Sequence, residues 1–291
     1  MKHVLLATTA LAMTASFAAA DVSLSGRAGA GSISGDTAGG DGMATGVTSE
    51  IWSGIDLNVS ASVTTDSGVT VTVADDFGGG KLPDYADKEL DAQTSDLDTP
   101  AVSVAFGGTT VTFDNQAIDD RYDNDQNGDI AIDTTIGGAT IGITFDTDAA
   151  ADNATTSYAI GYTMGDITLS VAGTDADDRD DAAMVWSASW AMNSDITLSI
   201  KSDNNGASVD DTTTGTIAYK MGDLSLSLSA DDIDEWDASA TYSAGAMTVT
   251  YATNEASEWE ADLSYDMGSG VSLKAGSDHA ETSVVGIQFS F

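Results

Sequence analysis

The segment Tyr162-Thr-Met-Gly-Asp-Ile-Thr-Leu-Ser170 returns almost letter for letter as Tyr219-Lys-Met-Gly-Asp-Leu-Ser-Leu-Ser227. Looser copies stand at Trp190–Ser199 and Tyr265–Leu273. Each copy is an aromatic residue, a tight Gly, Asn or Asp turn, and then strict apolar/polar alternation, as in Leu224, Leu226 and Leu228. Period-2 patterning bounded by such a turn predicts a β-hairpin. The aromatics Tyr162, Trp190, Tyr219, Tyr242 and Tyr265 follow one another at 28, 29, 23 and 23 residues. Two strands of about 9–11 residues with a turn and a loop fill that interval, and strands of that length cross a bilayer at a tilt.

The first twenty residues read as a targeting segment. Lys2 and His3 precede an apolar stretch from Val4 to Phe17, and Ala18-Ala19-Ala20 offers a small-residue cleavage site. The expected layout is a signal peptide over 1–20 and a β-barrel over 21–291. Loss of Lys2 leaves eight Lys/Arg against 47 Asp/Glu, a side-chain balance of −39. That charge excludes a nucleic-acid partner, which requires a basic footprint. It fits a solvated acidic surface or one that attracts cations. Cysteine is absent, which removes disulfides, thiol catalysis and zinc clusters.

Alternation continues along the chain, from Val22–Ser34 to Thr282–Phe291, and every predicted strand has one apolar and one polar face. A soluble sandwich shares that property. The two ends of the hairpins differ, however. Phe106, Tyr162, Trp190, Tyr219, Tyr242 and Tyr265 stand just before short turns at one end, and acidic connections cluster at the other. Short turns, longer outer loops and an interfacial aromatic girdle predict an all-β, transmembrane, antiparallel up-and-down barrel. Eight tight turns, from Thr64–Gly68 to Gly268–Gly270, join sixteen strands, and the two terminal strands bring the count to eighteen. Phe77 to Thr99 and Asn115 to Asp129 read as long irregular loops.

The mature start Asp21-Val-Ser-Leu-Ser-Gly26, the hairpin at Thr64–Gly68, the turn Tyr242–Ala246 and the end from Tyr265 to Phe291 resemble the general diffusion porins of alphaproteobacteria. The resemblance is spread thinly over the whole mature chain. It implies a homotrimer of mostly sixteen-stranded barrels in the bacterial outer membrane, surrounded by lipid. It also implies that Phe291 resembles the signal read by the barrel-assembly machinery. The strand count is thus 16–18, the turns giving eighteen and the family sixteen. A third loop shorter than the family's and the scarcity of arginine depart from the pattern.

Chemistry is sparse. His279 is the one histidine of the mature chain, and a lone loop histidine among acids lacks the nucleophile and orienting group of a hydrolase. No enzyme is expected, and no cofactor is required. Asp123-Asn-Asp125-Gln-Asn127-Gly128-Asp129-Ile130 matches the first eight positions of a calcium loop, so Asp123, Asp125, Asn127 and Asp129 are candidate calcium ligands. Thr134 replaces the closing glutamate, and a plain polar loop is the other reading. Arg27, Lys201, Lys220 and Lys274 all fall on the polar parity of their strands, which in a barrel is the lumen. The expected constriction is a loop near 115–129 carrying Asp119, Asp120, Asp123 and Asp125, with Asp133 just beyond it. Acids facing a basic wall would set a transverse field across a narrow pore. The leading function is a water-filled porin for small hydrophilic solutes and ions, preferring cations. The alternative is a non-conducting structural or adhesive barrel with cation-binding loops.

Overall fold

The computed structural model describes residues 20–35, 49–95, 99–122, 126–147, 155–176, 183–204 and 211–291. Residues 1–19, within the expected signal peptide, and the segments 36–48, 96–98, 123–125, 148–154, 177–182 and 205–210, with the candidate residues Asp123 and Asp125, lie outside the described residues. Regular structure among the described residues is entirely β. The first strands are β1 (Asp21–Ser34), β2 (Ser49–Thr64), β3 (Thr70–Asp84), β4 (Glu89–Ala92), β5 (Ala101–Phe106) and β6 (Thr109–Asp119). Then come β7 (Gln126–Ile136), β8 (Ala139–Phe145), β9 (Thr155–Met164), β10 (Ile167–Ala176), β11 (Ala183–Ala191) and β12 (Ile196–Asp203). The series ends with β13 (Thr212–Met221), β14 (Leu224–Asp231), β15 (Trp236–Ala244), β16 (Met247–Asn254), β17 (Trp259–Gly268), β18 (Val271–Asp278) and β19 (Ser283–Ser290).

Eighteen of these strands form a closed antiparallel barrel. Closure is made by β1 on β19, in register from Arg27 opposite Ser290 to Ser34 opposite Ser283. The turn count therefore gives the strand number, and the sixteen implied by resemblance is one hairpin short. β4 stands outside the ring and pairs only with β3. Short turns follow the repeated motif: Gly165 and Gly222 take φ of 60° and 58° at the first position of two-residue turns, the place a type II′ turn reserves for glycine.

The parity read from the sequence sorts the two faces. On β19, Val285 and Ile287 are 47% and 52% exposed while the alternating Val284 and Gln288 are buried. Leu226, Leu228, Tyr219 and Tyr251 likewise point outward and are exposed. Such a continuous apolar exterior has no place in water and matches the lipid band of a membrane barrel. This removes the sandwich. Phe106, Tyr162, Trp190, Tyr219, Tyr242 and Tyr265 are all exposed on that exterior, beside the short turns. A second set, Trp236 and Trp259, opens β15 and β17 at the opposite end, also exposed. Trp236 and Tyr242 are thus roughly 20 Å apart along one strand, as two interfacial girdles require.

The expected acidic loop from Phe77 to Thr99 is in part a hairpin. β3 runs on to Asp84, and Lys81–Asp84 pairs with β4. Apolar residues within this stretch, Leu82 and Leu90, are buried in the core cluster and hold the backbone in extended form.

Candidate functional site

The inner face of the barrel is built from the Ser, Thr, Gly and charged positions that alternate with the lipid-facing ones. The segment at 115–129 mostly extends the wall: β6 runs to Asp119 and β7 begins at Gln126, with register shifts between Phe113 and Ile118. Among its described residues, Asp120 to Tyr122 turn onto the inner surface. The Arg121 N–H donates to Ser157 Oγ of β9 at 2.9 Å, and its guanidinium donates to Thr144 Oγ1 of β8 at 2.9 Å and Asp133 Oδ2 of β7 at 3.0 Å. The Tyr122 hydroxyl donates to Asp203 Oδ1 of β12 at 2.6 Å.

Those contacts reassign the expected acids. Asp120 is 4% exposed; its carboxylate accepts from the Tyr122 N–H at 2.6 Å and from Thr174 Oγ1 of β10 at 3.2 Å. It fastens the tip to the wall. Asp133 is the ion-pair partner of Arg121, and Asp119 remains exposed. Asp129 accepts from the Gln116 N–H at 3.0 Å and from the N–H and hydroxyl of Thr147 at 2.7 and 2.6 Å. Of the proposed calcium ligands, this one clasps the strand ends. Asn127 is placed by its backbone in β7, and among the described residues no group of His, Cys, Asp or Glu is arranged to hold a metal.

The four expected basic residues do not make one wall. Arg27 pairs with Asp56 at 3.1 Å across β1 and β2, and Lys201 with Asp203 at 3.2 Å on β12. Lys220 is exposed near the short-turn end of β13, and Lys274 of β18 lies over the Tyr85 ring at 5.3 Å. Among the described residues, three further cations escaped the parity argument because the sequence reads their stretches as loops: Lys81, Lys88 and Arg121. Arg121 had a signal, being the one cation in an acidic run from Asp119 to Asp129.

A profile of the Gram-negative porins matches residues 7–290. The chain belongs to that family. Three engineered variants of the Rhodopseudomonas blastica porin share its fold, each with 93% of this chain and 100% of the other aligned. Their TM-scores are 0.58 at 17%, 18% and 18% identity. No curated protein matches the chain in sequence. This porin is accordingly an outer-membrane channel and not an enzyme. A closed barrel of this width leaves an aqueous interior, and the two faces of its wall supply the lipid contact and the polar lining. His279 sits 3.6 Å from Glu258 in the loops at one mouth.

Proposed function

We propose that this porin passes small hydrophilic solutes with a preference for cations, and that it works as a homotrimer. The observation that carries the charge preference is how its cations are spent. Arg27, Lys81, Lys88, Arg121 and Lys201 each lie within ion-pair distance of a carboxylate. The basic side chains are thereby neutralised locally, and the large surplus of acid is left to set the field. Asp114 and Asp237 are examples: among the described residues their carboxylates accept bonds from the Asn115 N–H and the Ser229 hydroxyl and form no ion pair.

Reversal potentials across a planar bilayer test this. Cation preference is expected to be strong in dilute salt and to fall as salt rises, because screening shortens from about 8 Å at physiological strength to about 3 Å at 1 M. Asp114→Asn with Asp237→Asn is expected to reduce the preference further. Anion preference in dilute salt would refute the reading, since Lys220 and Lys274 would then govern the pore. Chemical cross-linking of the detergent-extracted protein tests the trimer, and a monomer ladder alone would overturn it.

A further inference from the structure

The polar lining is interrupted on one arc. Ile33 of β1, Trp52 of β2 and Val284 of β19 occupy inward-facing positions yet are apolar and only 2%, 1% and 2% exposed. Leu82 and Leu90 of the β3–β4 hairpin cover them, with Tyr85 packed at the edge. The wall is cut away to receive the indole. A Cβ at Gly31 would stand 2.6 Å from Trp52 Cζ2, and one at Gly29 would stand 3.1 Å from Cζ3. The hairpin then crosses the inner face of β2 at Gly54, where a Cβ would lie 2.5 Å from the Lys81 carbonyl oxygen.

Its tip reaches farther round. Lys88, 2% exposed, sets its ammonium 3.1 Å from Asp262 Oδ1 and 3.5 Å from Glu260 Oε2, both on β17. The same ammonium donates to the Tyr85 and Ala86 carbonyls, which folds the tip around it. Its stem crosses β18 at Gly276, where a Cβ would lie 2.8 Å from Lys88 Cε. An apolar underside, a glycine trough and a desolvated ammonium bonded on several sides make this a seated element, since each would be exposed or unpaired if the hairpin swung out.

We propose that the β3–β4 hairpin is a fixed wedge that narrows the channel from one side, and that Lys88 is the positioning residue that holds it. The wedge rests on the arc from β17 round to β2, whereas Arg121 and Tyr122 rest on the arc from β8 to β12. Among the described residues, two inward elements bound the conducting space. Ala86 at the wedge tip is exposed and lines a cavity with Ser229, Asp237, Ser239, Glu258 and Asp278, so added bulk there enters the solute path.

Single-channel recording of the full-length porin separates the possibilities. Ala86→Trp changes an exposed side chain, leaves the core untouched, and is expected to lower conductance and the size of sugars admitted in liposome swelling. Lys88→Met is expected to raise conductance and open-channel noise while the barrel still migrates as a folded species. Wild-type conductance and sugar cut-off in Ala86→Trp would overturn the wedge, whether or not Lys88→Met folds. A folded Lys88→Met channel as quiet and as narrow as the wild type would overturn the role of Lys88.

Discussion

A methyl group at Gly286 would collide with the Trp52 indole, so the absence of a side chain there is part of the packing. Gly286→Ala is expected to lift the ring from the wall and cost about 1–3 kcal/mol, the usual penalty of overpacking. A lowered unfolding temperature in detergent would register it, and an unchanged one would show that the trough is not close-packed. Tyr85, in the connection between β3 and β4, is a second sensitive point. Burial pushes its phenol up to about 12. An unfolded phenol ionises near pH 10, so the stability linked to this group is whole below pH 10 and fades as pH climbs through 12. The ultraviolet titration of the wild type minus that of Tyr85→Phe should show one late transition, and a difference curve centred near pH 10 would contradict the burial.

At the level of strands, period-2 alternation made the wall legible because lipid on one side and water on the other leave no freedom in register. Leu228 points outward at 49% exposure while its neighbour Ser227 lines the interior. Leu228→Arg should therefore impair assembly by about 2–4 kcal/mol if it lies near the bilayer midplane, whereas Ser227→Arg should assemble normally. Equal folded yields in vesicles would contradict the assigned register. The β3–β4 hairpin was not legible by the same means, since Pro83 and its flanking acids imitate a loop. The signal lay elsewhere, in three breaches of parity. Trp52 shares a face with Asp56 and Asn58, Ile33 with Arg27, and Val284 with Gln288. An apolar residue on the wet face of a barrel strand needs a cover, and among the described residues the stretch after β3 supplies it through Leu82 and Leu90. The buried role of Asp120 was hidden for a different reason: its partner Thr174 is 54 residues away in sequence and reaches it only through the assembled wall.

For the molecule as a whole, the acidic charge and the closed ring act on different properties. In the proposed function, charge sets which ions dwell at the mouth and is negotiable with salt; closure is not. The residues beneath the wedge come from β1, β2 and β19, and β1 meets β19 at the point where the ring shuts. These strands lie at opposite ends of the chain, so their contact carries the largest loop-closure cost of any pair and forms slowly. Ile33 and Val284 can trap the indole and the two leucines only after that seam has zipped. Refolding into detergent should therefore show the Trp52 environment maturing last, together with the heat-resistant gel form, and a Trp52 signal that precedes it would disprove the order. The wedge thus doubles as a latch on the seam, and a barrel that has not finished folding would stand open on the side where the finished one is narrow.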